Sequence, residues 1–361
     1  MKEKLNKILI SAIKNGASDV HFKVGAPPLF RIHGSLFPTK AEVLTPEDTR
    51  AFANILTSGR VEIDKINEFD CSYTLENIGR FRVNIFRRMG NISIVLRYIP
   101  FKIPTFEELN LPSVLAKIAM FERGLVLVTG TTGSGKSTTL ASMIDYINSR
   151  KRVHIITIED PIEFLHKDKK ASISQREVGI DTKDFSTALR AALREDPDVI
   201  LVGEMRDAET IDIALKAAET GHLVLSTVHT TDAIRTISRL ISVFPSDEQE
   251  FVRIRLAESL KATISQRLLP RKDGKGRVVA VEIMIVTPII EDCIKDKEKT
   301  HLIKDYIEKG RTQYGMQTFD QHLLDLFNQG IISFEVAKAA ATSPSDFERA
   351  VLLSSDGIVP E

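Results

Sequence analysis

Tryptophan is absent from this chain of 361 residues, cysteine occurs twice, and 49 lysines and arginines are balanced by 49 aspartates and glutamates. The two cysteines, Cys71 and Cys293, stand far apart. That excludes a disulfide framework and a cysteine-built zinc site, and points to a reducing compartment. With no net charge and 6% aromatic residues, the chain offers neither the basic face nor the stacking side chains of a nucleic-acid partner. Long apolar runs are lacking too. Residues 125–128 and 223–225 fall far short of the roughly 20 needed to span a bilayer. The opening Met-Lys-Glu-Lys-Leu-Asn-Lys has no apolar core of a secretory signal. A soluble cytoplasmic protein without direct membrane insertion is expected. Its 43% apolar content suits a sizeable core, and its length predicts two or three domains.

Residues 1–100 mix a helical opening with strand-like pieces. In 79–86, Phe81, Val83 and Ile85 alternate with Arg80, Arg82, Asn84 and Phe86, the period-two pattern of a strand with one apolar face. Residues 92–98 form a second strand carrying Arg97. Pro100, Pro104 and Pro112 then bracket a linker over 101–112. From 113 to 287, short β-branched runs (125–129, 153–158, 199–202, 223–228, 278–286) alternate with helical stretches (138–150, 185–195, 207–220). Strands apolar on both faces, separated by helices, predict a parallel sheet covered by helices. Helices are expected over 288–361.

The chemistry begins at residue 130. Gly130-Thr131-Thr132-Gly133-Ser134-Gly135-Lys136-Ser137-Thr138 fits the phosphate-binding pattern G-x-x-x-x-G-K-[ST], with an apolar run before it and a helical stretch after it. Glycines let the backbone turn its N–H groups onto phosphate oxygens at the positive end of the following helix. Lys136 would reach the β- and γ-phosphates and is expected to touch only ligand, while the Ser137 hydroxyl would help hold Mg²⁺. The chain is therefore expected to bind a nucleoside triphosphate with Mg²⁺.

Acids at strand ends bear on the reaction. Residues 198–204 form an apolar strand ending in Glu204, with Gly203 where an aspartate commonly stands, so Glu204 is expected near Mg²⁺ through water. Glu159, Asp160 and Glu163 follow another strand. Glu163 is the candidate for orienting the attacking water, with Glu159 and Asp160 on the metal side. His222 and His229 flank the run 223–228 on opposite faces, so they do not share a metal. His229, beside Thr230 and Thr231, is a candidate phosphate sensor, and His222 reads as structural. Arg190 and Arg194 share a helical face by their spacing, and Arg80, Arg82 and Arg97 lie on strands. Any of these could supply a finger to the γ-phosphate.

Together these segments resemble the secretion and type IV pilus ATPase superfamily, most closely its pilus retraction (twitching motility) branch. Residues 130–137 are similar to its Walker A loop, 158–163 to its aspartate box, 189–207 to its Walker B region and 220–231 to its histidine box. Residues 79–84 resemble its amino-domain arginine strand, and 265–270 a terminal signature of the motor core. The resemblance implies an α/β fold: a RecA-like P-loop motor domain (113–287), a smaller α+β PAS-like amino-terminal domain (1–100) and a helical carboxyl-terminal region (288–361). It also implies ATP as the nucleotide and a homohexamer acting on an inner-membrane pilus platform protein, with catalytic Glu163, Walker B Glu204, and Arg82 and Arg97 contacting phosphate. Assembly and secretion relatives usually carry an extra amino-terminal domain and a four-cysteine metal loop. This chain starts at the PAS-like region and has no cysteine between 71 and 293, so retraction is expected over assembly, and a RecA-like nucleic-acid motor is the more distant alternative.

Overall fold

The structure, a computed structural model, describes residues 1–32, 34–75, 78–99 and 102–354. Pro100 and Phe101, where the sequence places the end of a strand and the start of the linker, lie outside the described residues, as does 355–361. The chain forms two compact units: Met1–Lys102 with Glu163–Leu165, and Ile103–Ile162 with His166–Glu361.

In the first unit, α1 (Lys2–Lys14), β1 (Asp19–Phe22), β2 (Leu29–Ile32), β3 (Ser35–Pro38), α2 (Pro46–Leu56), β4 (Glu68–Leu75), β5 (Gly79–Arg88) and β6 (Asn91–Ile99) follow in order. The strands form one antiparallel sheet, ordered β3-β2-β1-β6-β5-β4. Phe81, Val83 and Ile85 on β5 are fully buried, in one core with Leu5 and Leu9 of α1 and Phe52 of α2. Thr45 and Asp48 close a capping box at the start of α2, and Asp48 also pairs with Lys4 of α1.

The second unit runs α3 (Val114–Ala119), β7 (Gly124–Gly130), α4 (Lys136–Asn148), β8 (His154–Glu159), β9 (Ser172–Glu177), α5 (Phe185–Ala192), β10 (Val199–Val202), α6 (Ala208–Glu219), β11 (Leu223–Val228), α7 (Ala233–Ser242), α8 (Gln249–Ser259), β12 (Leu260–Pro270) and β13 (Arg277–Ile285). Its sheet is ordered β13-β12-β7-β11-β10-β8-β9, parallel throughout except for the β12–β13 hairpin. β7, β10 and β11 are buried along their whole length, as strands covered on both faces must be. This is the RecA-like arrangement.

Two strands were not legible in the sequence. β9 (Ser-Ile-Ser-Gln-Arg-Glu) is polar because it is the sheet edge. β12 reads as mixed because Thr263, Ser265 and Gln266 are polar yet buried.

Helices α9 (Pro288–Lys295), α10 (Ile303–Lys309), α11 (Arg311–Tyr314), α12 (Phe319–Asn328), α13 (Phe334–Ala340) and α14 (Pro344–Ser354) complete the chain. The last three pack with Leu269, Val278 and Ala280 of the hairpin. Arg267 on β12 stacks 4.0 Å from the Phe319 ring centroid and donates to the Ala340 carbonyl at 2.9 Å. His322 joins α12 to β13, its Nδ1 accepting from the Val281 N–H at 2.9 Å.

Burial pushes the His322 ring down from 6.5 to about 4, so the fold holds it neutral. Stability from the neutral ring is complete above the unfolded value and is lost as pH falls toward 4. His322→Asn supplies an acceptor for the same N–H without a titrating ring. Wild type should lose up to about 3 kcal/mol relative to that variant between pH 6.5 and 4, measured by urea denaturation at matched pH.

Candidate functional site

Strand β7 ends at Gly130, whose φ is +143°. A Cβ there would lie 2.4 Å from Ser134 Oγ and 2.6 Å from the Gln266 carbonyl, so only glycine fits. Gly133 (φ +77°) and Gly135 (φ +93°) complete the turn, and α4 begins at Lys136 with no side chain capping it. By contrast α5, α6 and α7 are capped by Asp184, Asp207 and Asp232. The first N–H groups of α4 are thus left for an anion at a positive helix end, between the exposed Thr131, Thr132 and Gly133 and the first-turn Ser137 and Thr138.

The expectation that Lys136 touches only ligand needs correction. Its side chain is buried, and Nζ donates to the carbonyls of Gly130 at 3.0 Å and Thr131 at 2.9 Å. An ammonium carries three donors, and the loop's own carbonyls hold this one in place over the turn.

The ends of β10 and β11 bring two further candidates to the same edge. Thr227 Oγ1 donates to the Gly203 carbonyl at 2.7 Å, joining the two ends. Glu204 lies 2.7 Å from Arg206 Nε and 3.6 Å from His229 Nε2. Burial lowers the His229 pKa, the charges of Lys136 and Arg206 lower it further, and Glu204 opposes them. A neutral imidazole beside Lys136 can donate one hydrogen bond to a phosphate oxygen. Gly203 also has a steric reason: a Cβ there would meet the Ile158 carbonyl at 3.2 Å and Glu159 Cα at 3.4 Å. An aspartate would press on β8. His222 proves structural, its Nδ1 2.9 Å from the Ala217 carbonyl.

The three acids at the end of β8 differ in their surroundings. Glu159 accepts from Thr157 Oγ1 at 2.7 Å and Gln175 Nε2 at 3.2 Å. Asp160 and Glu163 are exposed, and Glu163 belongs with the first unit. Among the described residues no three histidine, cysteine, aspartate or glutamate side chains gather to hold a metal ion. Glu159, expected on the metal side with Asp160, is hydrogen-bonded to its strand neighbours. Sequence reasoning also missed Glu177, buried on β9, which accepts from the Ile162 N–H at 3.2 Å and so anchors this acidic turn.

Arg194 lies at the other edge of the sheet. It follows α5 and precedes β10, beside Glu195, whose carbonyl lies 3.0 Å from His154 Nδ1 at the start of β8. That is the amino edge of the parallel strands, whereas the P-loop lies at the carboxyl edge.

In the first unit, Arg82 and Arg97 face each other in the β5–β6 register. Arg97 Nε donates to Asp19 Oδ1 at 2.9 Å. Burial pushes the Asp19 carboxyl up, but hydrogen bonds from Ser18 and Arg97 with the Arg97 charge win and hold it below the usual range. Arg82 is exposed and makes no hydrogen bond among the described residues. Arg80, expected on the same polar face, is buried and donates to Ser72 Oγ at 2.6 Å.

A groove of ≈ 460 Å³, which sequence reasoning did not anticipate, runs beside the P-loop within the second unit. Ser134 and Thr138 form one wall, with Leu268, Arg277 and Val279 of the hairpin opposite.

The glycine loop between β7 and α4, in a RecA-like sheet with carboxylate and imidazole on neighbouring strands, defines a P-loop nucleotide-binding protein. Residues 1–337 match the family of type II/IV secretion system proteins, and the chain belongs to that family. It is 47% identical to the "Type IV pilus retractation ATPase PilT" of Pseudomonas aeruginosa over 345 residues, covering 95% of this chain and 99% of that one. It is 48% identical to a "Twitching motility protein" of Neisseria gonorrhoeae over 316 residues, 87% of this chain and 84% of that one. Among solved structures, that of the pilus retraction motor PilT with bound ADP superposes with a TM-score of 0.87 at 48% identity, covering 95% of this chain and 98% of that chain.

Lys136→Ala should lose tight ATP binding. Because Nζ also ties two loop carbonyls, the ligand-free loop should loosen, with faster amide hydrogen exchange over 131–135 and little change in global melting. Unchanged exchange there would mean that the ammonium serves the ligand alone.

Proposed function

We propose that this chain is an ATP-hydrolysing motor that drives type IV pilus retraction, working as a homohexamer on an inner-membrane pilus platform protein. The observation that carries the reading is Lys136 held over an uncapped helix start, with Glu204 and His229 beside it on the next strands. Likeness over nearly the whole of both chains to a pilus retraction ATPase supports the direction of work. No helix among the described residues is long and apolar enough to cross a membrane. That suits a cytoplasmic protein attached peripherally through its platform partner.

Each residue then has a task. The loop N–H groups and Lys136 bind and orient the triphosphate, which places the γ-phosphorus for in-line attack. His229 donates to a γ-phosphate oxygen, and Glu163 orients the attacking water and takes its proton. Magnesium, when bound, would offset charge on the β- and γ-phosphates. The exposed Ser137 hydroxyl fits as its protein ligand, with Glu204 acting through water. Such a site needs no all-protein cage, because Mg²⁺ keeps several waters and substrate oxygens. Of the two amino-domain arginines, Arg82 is assigned to the γ-phosphate, since Arg97 is committed to Asp19.

Purified protein should form six-fold rings with ATPase activity, and deleting the gene should leave pili that no longer retract. A catalytically dead monomer would sink this reading. Glu163→Gln should keep ATP binding and lose about 10²–10⁴ in turnover, because an amide cannot take the proton. Arg82→Ala should lower kcat far more than it weakens binding, since the contact tightens as γ-phosphate charge develops, and lysine there should rescue only in part. Steady-state ATPase and nucleotide-binding assays on each variant check both, and wild-type turnover in Arg82→Ala would remove the first unit from catalysis.

A further inference from the structure

The groove beside the P-loop has a polar floor that phosphate binding leaves unused. Gln266 lies on β12 in register with Gly130 and is 1% exposed. Its Nε2 donates to Thr139 Oγ1 at 2.7 Å, while Oε1 has no hydrogen-bond partner among the described residues. Ser134 Oγ, buried on the same floor, has none either. Native interiors rarely leave such atoms unmet, because a buried polar group without a partner costs the full loss of its hydration. Both residues line the groove, which continues between the apolar Leu268 and Val279.

The two flanks of β7 are unlike. β11 and β10, carrying His229 and Glu204, stand on one side, and β12 stands on the other. Phosphate oxygens are acceptors, so an amide oxygen on the β12 side would repel them. That oxygen requires a donor. On a nucleoside triphosphate lying along the loop, the donors are on the nucleoside: the 6-amino group of adenine and the ribose hydroxyls. Guanine carries a carbonyl oxygen where adenine carries its amine.

We propose that Gln266 reads the nucleoside half of the bound nucleotide, its Oε1 accepting a hydrogen bond from the base or sugar while the base lies against Leu268 and Val279. Thr139 Oγ1 takes the amide Nε2, which leaves Oε1 for the nucleoside. The proposal rests on the chain being an ATPase, and a volume of ≈ 460 Å³ falls within the range of small-molecule sites.

Competition against a fluorescent ATP analogue on the full chain tests it. Ligands are ATP, GTP, an ATP analogue without the 6-amino group, 2′,3′-dideoxy-ATP and inorganic tripolyphosphate. Gln266→Leu should weaken ATP about tenfold and leave tripolyphosphate competition unchanged. Gln266→Met, which keeps the side-chain length, should do the same and guards against a folding defect. The analogue whose affinity the substitution no longer changes identifies the paired group. Wild-type ATP affinity in both variants, or tripolyphosphate weakened as much as ATP, would overturn the assignment while leaving the ATPase reading intact. A wild-type chain that binds neither ATP nor tripolyphosphate would overturn both.

Discussion

No side chain fits at position 130. The end of β7, the Ser134 hydroxyl and the Gln266 carbonyl crowd the place where a Cβ would stand, and the other features of the site follow from that close approach. The loop can fold back over the strand end, so Lys136 reaches the Gly130 and Thr131 carbonyls. The same contact brings β12 against the loop and lets the Gln266 amide reach Thr139 in the second turn of α4. One glycine thus separates two chemically distinct flanks, a charged edge on the β11 side and an uncharged, half-apolar groove on the β12 side.

Charge on the first flank is arranged so that a polyphosphate is not repelled. Glu204 is paired with Arg206 and His229, and Glu159 is taken up by Thr157 and Gln175. Aspartate caps are set on α5, α6 and α7 and withheld from α4. The positive end of α4 and the Lys136 ammonium are what a phosphate meets. His229 belongs to this balance, since its partial burial, and after it the charges of Lys136 and Arg206, favour the neutral ring against the pull of Glu204.

In the first unit the sheet sets a division of labour between similar side chains. Asp19, Arg97 and Arg82 occupy consecutive register positions across β1, β6 and β5. Two guanidiniums directly opposite each other repel, and Asp19 relieves that by binding one of them. Arg97 is paired with Asp19, and Arg82 is left exposed on a strand whose other face, through Phe81, Val83 and Ile85, is locked in the core.

By itself the sequence determined the P-loop, the alternation of buried strands with helices, and the apolar face of β5. These are local patterns, set by backbone stereochemistry and by periods of two and 3.6 that need no knowledge of neighbours. It also marked Glu204 and His229, because a polar residue ending an apolar strand is conspicuous. Contacts between segments distant in sequence were decided only by the tertiary structure. Arg194 and Arg82 read alike as exposed arginines, and only strand order puts the first at the amino edge of the sheet. The acids at 159, 160 and 163 read as one cluster, yet Thr157 and Gln175 draw Glu159 out of it. Gln266 lies 127 residues from its partner Thr139. It reads as one polar residue in an unremarkable strand, because burial and an unmet amide oxygen are properties of packing and leave no periodic trace in the chain.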